Sequence, residues 1–217
     1  MNVLVACEFS GIVRSAFADL GHNAWSCDLL PTELPGSHYQ GDVRELLAQN
    51  LFQWDLIIGH PNCTFLTNSG VRWLYEKDDS PEERARVKKR WGSLEQAREF
   101  FMFLYEQPAP YICIENPIPH SHAQLPPYTQ TVQPWQYGDF ETKRTCLWLR
   151  NLPPLKPLNP TLDDARAYHN LAPDAKPAAK VHLMSPGPNR AKERSRFFPG
   201  IARAMAQQWT DFIDGDA

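Results

Sequence analysis

Asn2-Val-Leu-Val-Ala-Cys-Glu-Phe-Ser-Gly11 joins a short, continuous apolar run to a turn. An unbroken apolar run of this length is typical of a parallel strand that is covered on both faces. Residues Ile12 to Leu20 continue with apolar side chains at helical spacing, and Gly21 marks the end of that helix. The N-terminus therefore predicts a strand, a turn and a helix, which is the opening unit of an α/β sheet.

Strands and helices alternate along the rest of the chain. This alternation predicts an α/β fold with a mostly parallel sheet and helices on both faces. We expect a single domain over 1–217, in which 150–190 form a proline-rich, irregular insert. The predicted strands are 22–27, 54–59, 110–114 and 147–149; the predicted helices are 44–50, 80–107 and 198–213; and the main predicted loops are 29–40 and 60–70.

Composition excludes several classes of protein. The chain has 217 residues, of which 42% are hydrophobic and 22% are charged, so it can form an ordered core. The net charge of −3 argues against coating nucleic acid by bulk charge, although a local basic groove stays possible. No apolar run approaches the roughly 18 residues that span a bilayer, and the N-terminus lacks the pattern of a secretory signal. Five cysteines without a CxxC pair indicate reduced thiols, and we expect a cytoplasmic protein without a membrane partner.

Polar residues follow several predicted strands, at the edge where α/β sheets bind ligands. The turn over 8–11 offers backbone N–H groups to a ligand, and Asp28 suits ribose hydroxyls, although such a turn also serves as a simple connection. Cys63 is either a nucleophile or an inert buried thiol. Glu115 is either a protonated hydrogen-bond donor in an enclosed site or an ordinary cap or surface acid.

Histidines and cations supply further candidates. His120 and His122 could bind a metal, but no third ligand has metal spacing, so ordinary loop histidines are favoured and no metal site is predicted. Lys143 and Arg144 precede a strand, and Arg194 belongs to a second basic cluster; both groups could hold phosphates or be solvated. We expect the run over 84–90 to be a solvated helix face, with phosphate contact as the alternative.

The order of the motifs is more specific than any one of them. Along the chain come Cys7-Glu-Phe-Ser-Gly11, Asp28, Gly41-Asp42, His60-Pro-Asn-Cys63 and Glu115-Asn-Pro117, followed by Gln136-Tyr-Gly138 and Lys143-Arg144. This series resembles the S-adenosylmethionine-dependent cytosine C5 DNA methyltransferases, and in particular their short members from phages and prophages. The resemblance covers nearly the whole chain and implies the Rossmann-like class I methyltransferase fold.

The resemblance also implies roles. Cys63 would attack C6 of cytosine, Glu115 would hold the ring at N3 and the exocyclic amine, and Asn116 would shape the loop. The implied cofactor is S-adenosylmethionine and the implied partner is DNA, either duplex or single-stranded. The candidate catalytic residues are Cys63, Glu115, Asn116 and Arg144; the candidate cofactor-binding residues are Phe9, Ser10, Gly11, Asp28, Asp42 and Pro61; and the candidate substrate-binding residues are Pro117, Lys143 and Arg194.

Departures from the family pattern leave alternatives open. The Cys63 loop reads Pro-Asn-Cys-Thr rather than Pro-Cys-Gln, and the segment from Arg144 to Pro199 is short for a DNA-reading domain, which buries on the order of ~1,000 Å². A free cytidine nucleotide such as dCMP is therefore an alternative substrate, and a non-catalytic binding module is a third possibility. Catalysis predicts that Cys63 and Glu115 share one pocket. A DNA substrate predicts a basic face at its mouth, formed by Lys88, Lys89, Arg90, Arg144 and Arg194.

Overall fold

Seven strands form one sheet in a computed structural model that describes residues 1–215, apart from the side chain at position 182. Their order across the sheet is β3-β2-β1-β4-β5-β7-β6, and only the pairings of β7 are antiparallel. This arrangement is the Rossmann-like class I methyltransferase fold, as predicted. The strands are β1 (Asn2–Ala6), β2 (Asn23–Asp28), β3 (His38–Gln40), β4 (Leu56–Gly59), β5 (Tyr111–Pro117), β6 (Gln130–Val132) and β7 (Thr145–Arg150).

Helices cover both faces of the sheet. Ser80 caps the longest of them by accepting a hydrogen bond from the Glu83 N–H, and Pro81 stands at its first position, as the sequence predicts. Within the part of the chain that is described, no helix is both long and apolar enough to cross a membrane. The helices are α1 (Ile12–Ala18), α2 (Val43–Ala48), α3 (Pro81–Tyr105), α4 (Leu162–Tyr168), α5 (Lys180–Leu183), α6 (Arg190–Ser195) and α7 (Pro199–Gly215), with 3₁₀ turns at Asn68–Leu74, Ser121–Ala123 and Pro134–Tyr137.

The core lies in two layers, one on each face of the sheet. Val3 and Val5 face the layer of α1 and α7, which includes the fully buried Trp209. Leu4 faces the layer of α2 and α3, which includes the fully buried Trp148. Successive residues of β1 therefore enter opposite layers, and this explains why its sequence is apolar without alternation.

Three predictions about the strands need correction. Residues 29–40 are not a loop throughout, because the last three residues of this segment form β3, which pairs with β2. The short edge strand β6 was not predicted at all. The strand predicted over 110–114 continues through Glu115, Asn116 and Pro117, because β7 pairs with these residues from the side opposite β4. Glu115 therefore has the fixed backbone of a strand rather than that of a loop.

The reversed direction of β7 brings its start to the ligand-binding edge. Pro117, the last residue of β5, lies opposite Thr145, the first residue of β7. Lys143 and Arg144 therefore precede β7 at the edge where β1, β2, β4 and β5 end. Between β7 and α7, residues 151–198 contain the short helices α4, α5 and α6, so the segment predicted to be irregular is partly helical.

Arg14 fixes the loop over 29–37. Its side chain is buried and donates hydrogen bonds to the Ser26 hydroxyl, to the Thr32 hydroxyl and to the carbonyls of Leu34 and Pro35. Gly11 lies against this guanidinium with a φ of +72°, a conformation that favours glycine.

Gly11→Ala is expected to lower the free energy of unfolding by about 2–4 kcal/mol, because left-handed strain adds to a steric clash. An added Cβ would lie 2.6 Å from Arg14 Nη2, and that guanidinium is held in place by its hydrogen bonds. Gly21→Ala is the control, since Gly21 has a φ of +85° but no atom within 4 Å of the added Cβ. Urea unfolding should show the smaller loss for Gly21→Ala, and equal losses would contradict this packing.

Candidate active site

The turn after β1 is built around a buried carboxylate. Glu8 accepts hydrogen bonds from the N–H groups of Val13 (2.7 Å) and Arg14 (3.2 Å) and from the Ser10 hydroxyl (3.1 Å). The N-terminus of α1 is therefore already occupied by a side chain of the same protein.

Three consecutive N–H groups of this turn stay available. Those of Phe9, Ser10 and Gly11 donate to no acceptor within residues 1–215, although all three residues are buried. Buried N–H groups without a partner are rare in proteins, and such a series can bind an anionic or carbonyl oxygen. The turn therefore still offers three N–H donors to a ligand. They lie in the turn itself, because Glu8 occupies the N-terminus of α1.

The acidic candidates near this turn differ in their surroundings. Asp28 ends β2, is half-buried and accepts a hydrogen bond from the Leu30 N–H through Oδ1. Burial raises the pKa of Asp28, while the Leu30 N–H opposes the shift. Asp42 instead caps α2 by accepting from the Arg44 N–H at 2.8 Å, so it has a structural role independent of any ligand.

The loop that carries Cys63 is tied to the chain that leaves β5. Asn116 Nδ2 donates to the carbonyl of Pro61 at 2.9 Å, and His120 Nε2 donates to the carbonyl of Phe65 at 2.9 Å. Both side chains are buried, and the two bonds flank Cys63 on either side along the loop. The predicted loop-shaping role of Asn116 thus has a specific contact.

Glu115 lies under this loop with one oxygen engaged. Its Oε2 is 3.1 Å from His60 Nδ1, and both side chains are nearly buried. Burial alone would raise the pKa of Glu115, but the hydrogen bond from His60 and the positive charge of Lys143 outweigh it, and the pKa is lowered. Of the two alternatives for Glu115, the lowered pKa favours the ionised carboxyl over a protonated hydrogen-bond donor, with His60 Nδ1 donating to Oε2.

Cys63 belongs to the same electrostatic cluster. Burial is the main reason that the pKa of the Cys63 thiol is raised, and the negative charge of Glu115 raises it further, while Lys143 and Arg194 oppose the shift. The thiol is therefore protonated at rest and close enough to Glu115 to sense its charge. All five cysteines are free, so no disulfide competes for this thiol.

Three buried polar atoms at this edge have no hydrogen-bond partner among the described residues: Glu115 Oε1, Asn116 Oδ1 and His60 Nε2. Buried polar atoms are nearly always paired, so each of these requires an explanation. The three belong to residues of adjacent strand ends that already contact one another or the Cys63 loop. Because His60 Nδ1 carries the proton donated to Glu115, Nε2 of the neutral ring is an acceptor, so all three atoms would be satisfied by a ligand that offers N–H or O–H donors.

Of the predicted cations, two reach this cluster. Lys143 Nζ donates to the carbonyl of Arg194 at 3.2 Å, and the charges of both residues act on Cys63. Arg144 is exposed, and its charge lowers the pKa of Cys146, which is raised overall by burial. Lys143 and Arg194 thus belong to the Cys63 cluster, and the catalytic role of Arg144 stays a prediction.

The segment before α7 closes one side of the edge. The rings of Phe197 and His60 have centroids 4.8 Å apart, and the Lys192 ammonium lies 5.1 Å from the centre of the Phe9 ring. Glu33 forms ion pairs with Lys192 at 3.0 Å and with Arg196 at 2.8 Å. These contacts hold α6 against the turn after β1, beside the candidate cofactor residues.

Sequence reasoning missed two residues of the site. It did not consider His60, whose only signal is its position directly after a buried strand, and it described Glu8 only as a turn residue. Of the two histidines considered as metal ligands, His122 has its Nε2 2.8 Å from the Tyr75 hydroxyl, and no group of three metal-ligating side chains occurs in the described part of the chain.

Comparisons with known proteins found only distant structural similarity. No protein-family model matches the chain, and no curated protein sequence matches it. A solved structure described as a DNA modification methyltransferase encoded within an E. coli prophage aligns with a TM-score of 0.41 and 13% identity, over 69% of this chain and 46% of the other. The Entamoeba histolytica methyltransferase EhMeth aligns with a TM-score of 0.41 and 18% identity, over 70% and 53%. The chain thus spans about half the length of both proteins, and neither likeness bears on activity.

Proposed function

We propose that the protein transfers a methyl group from S-adenosylmethionine to C5 of cytosine in DNA, through a covalent bond between Cys63 and C6. The observation that carries the proposal is the buried Glu115, whose Oε1 has no hydrogen-bond partner within the described residues and whose negative charge raises the pKa of the Cys63 thiol. A thiol and a carboxyl group on neighbouring strand ends are the two groups that this reaction requires.

The residue types follow from the chemistry of cytosine. C5 of the ring is a poor nucleophile until a nucleophile adds at C6. Cys63 Sγ forms the bond to C6 and loses its proton, while N3 gains a proton, so the ring becomes an enamine with electron density at C5. After methyl transfer, a base removes the C5 proton and the Cys63–C6 bond breaks, which restores the thiol and the aromatic ring.

The cluster around Glu115 supports the ring during these steps. The free Oε1 of Glu115 can accept a hydrogen bond from protonated N3 or from the exocyclic amine, while His60 holds Oε2 in place. Lys143 and Arg194 favour the thiolate form of Cys63, which offsets part of the effect of burial. We assign His60 and Asn116 as positioning residues, since they act through Glu115 and through the Cys63 loop.

The residues at the ends of β1 and β2 fit the methyl donor. The free N–H groups of Phe9, Ser10 and Gly11 would hold oxygens of its methionine part, and Asp28 would hold its ribose hydroxyls. Pro61 is buried at the adjoining end of β4 and would line the pocket. When bound, S-adenosylmethionine supplies an electrophilic methyl group.

Asp28→Ala is expected to weaken binding of S-adenosylmethionine by about 10- to 100-fold, because it removes a charged acceptor of two hydroxyl groups. Asp19→Ala is the control, since Asp19 is an exposed acid at the opposite end of α1. Isothermal titration calorimetry gives both affinities, and an unchanged affinity for Asp28→Ala would refute this pocket.

A free cytidine nucleotide is the second candidate substrate. The observation in its favour is the short connection between β7 and α7, whose helices α4, α5 and α6 have at most seven residues each. A specific DNA reader usually buries on the order of 1,000 Å² of protein surface, and this segment is small for that task.

Methyl transfer itself decides between these substrates. Labelled S-adenosylmethionine is supplied with duplex DNA, single-stranded DNA and dCMP in parallel. Label in either DNA supports the proposal, label in dCMP alone supports the second candidate, and no label in any arm, despite bound cofactor, contradicts both.

A further inference from the structure

A cleft of about 360 Å³ lies beside the Cys63 loop, between the 3₁₀ turn Asn68–Leu74 and the first half of α3. Apart from Phe65, whose carbonyl accepts a hydrogen bond from His120, its lining residues do not belong to the site described above. One wall of the cleft adjoins Cys63 in the sequence, because the lining residue Phe65 is two residues beyond Cys63. The cleft is lined by Phe65, Trp73, Arg86, Lys89, Arg90 and Ser93.

The lining on α3 forms one continuous face of that helix. Arg86, Lys89, Arg90 and Ser93 have the spacing that places side chains on the same side of a helix. The surrounding run over 84–90 carries five cations and no acid. The cleft is therefore a local positive surface on a protein whose net charge is −3.

Some of these cations build the cleft and others are available. Arg90 donates to the carbonyl of Thr64 at 2.8 Å and lies over the Phe65 ring at 4.4 Å, which fixes helix α3 to the Cys63 loop. Arg86 is bound to Glu83 at 2.7 Å. Lys89 is exposed, and within residues 1–215 its ammonium forms neither an ion pair nor a hydrogen bond.

Trp73 supplies an aromatic surface among these charges. The half-buried indole lies in the same cleft and is approached by the guanidinium of Arg72 at 4.8 Å and by the ammonium of Lys77 at 4.6 Å. Aromatic rings combined with a positive groove are the usual means of binding single-stranded nucleic acid, because bases stack on the rings while phosphates meet the cations.

We propose that this cleft binds a single DNA strand next to the target cytosine, with Lys89 contacting a phosphate and Trp73 stacking on a base. The proposal rests on the proposed function for the identity of the target, and it gives the protein a strand-binding surface on α3 instead of in the segment before α7. It also develops the phosphate contact that the sequence left as the alternative for the run over 84–90.

Strand binding without chemistry tests this inference. A labelled single-stranded oligonucleotide of about 16 nucleotides is titrated with protein at several salt concentrations, without methyl donor. Lys89→Glu should weaken binding about tenfold and reduce the slope of log K against log salt by about 1. Trp73→Leu should weaken binding about tenfold through lost stacking, whereas Trp73→Phe should retain most of it. Thermal unfolding of each variant verifies that it is folded.

Lys156→Glu is the matched control. It changes the net charge by the same amount, but Lys156 is exposed and follows the far end of β7, at the edge of the sheet opposite Cys63. Equal loss of affinity in Lys89→Glu and Lys156→Glu would overturn the inference. Tighter binding of duplex than of single-stranded DNA, with an affinity that Lys89→Glu does not change, would also overturn it. Methyl transfer to DNA by Lys89→Glu with an unchanged KM would overturn it while the proposed function stands. Lys89-dependent binding without any methyl transfer would contradict the proposed function and support this surface.

Discussion

Cys63→Ser is expected to lower the rate of methyl transfer by at least about 10³-fold, because a serine hydroxyl is a much weaker nucleophile than a thiol and the covalent step depends on it. The protein should stay folded, since the Cys63 side chain is only half-buried and forms no hydrogen bond to another of the described residues. Initial rates with labelled S-adenosylmethionine and single-stranded DNA measure the effect, and thermal unfolding verifies the fold.

Cys113→Ala is the matched control for loss of a thiol. Cys113 is fully buried within β5, in the layer of α1 and α7, two residues before Glu115, and burial and the charge of Glu115 both raise the pKa of its thiol. Its removal should lower the free energy of unfolding by about 1 kcal/mol and leave the rate of methyl transfer within a few-fold of the native value. A Cys63→Ser rate within tenfold of native would rule out attack by this thiol.

Glu115→Gln is expected to lower kcat by about 10²- to 10⁴-fold, because the neutral amide cannot stabilise a protonated N3 as a carboxylate does. The amide oxygen can still accept the hydrogen bond from His60 Nδ1, so the architecture of the cluster is preserved. Single-turnover methyl transfer is the measurement, since it separates chemistry from product release.

The same substitution should make Cys63 more reactive towards an alkylating reagent. The negative charge of Glu115 raises the pKa of the Cys63 thiol, so its removal lowers that pKa and increases the thiolate fraction at neutral pH. In Glu115→Gln the rate of methyl transfer should therefore fall while the rate of Cys63 alkylation rises. Unfolding of the site would instead expose other cysteines to the reagent as well as Cys63. Glu95→Gln, at a partly exposed acid paired with Arg98 on α3, should change neither rate. An unchanged alkylation rate in Glu115→Gln would show that the two groups do not share one pocket.

The sheet was predictable because buried parallel strands leave a strong signal. The runs that became β1 and β4 are continuous apolar segments, and the caps at Ser80 and Pro81 fix the start of α3. β3 and β6 have three residues each and lie at the two edges of the sheet, so neither has room for a periodic pattern.

The sequence was enough to name candidate site residues, but it did not indicate the electrostatics around them. Position at a strand end was enough to single out Cys63 and Glu115, because parallel strands end at a common edge. The lowered pKa of Glu115 depends in part on His60, which is 55 residues away along the chain and comes within 3.1 Å only through the pairing of β4 with β5. Likewise, nothing local in the sequence shows that Glu8 occupies the N-terminus of α1, since that depends on the conformation of the turn.

Trapping of the covalent intermediate is the most direct test of whether Cys63 attacks C6 of cytosine. A single-stranded oligonucleotide with 5-fluorocytosine in place of cytosine is incubated with the protein and S-adenosylmethionine, because fluorine at C5 cannot leave as a proton does. We expect intact mass to show a protein–DNA adduct, with the oligonucleotide mapped to the peptide that contains Cys63 and no adduct in Cys63→Ser. Methylation of the normal oligonucleotide without any adduct on the fluorinated one, or an adduct on a different residue, would contradict it.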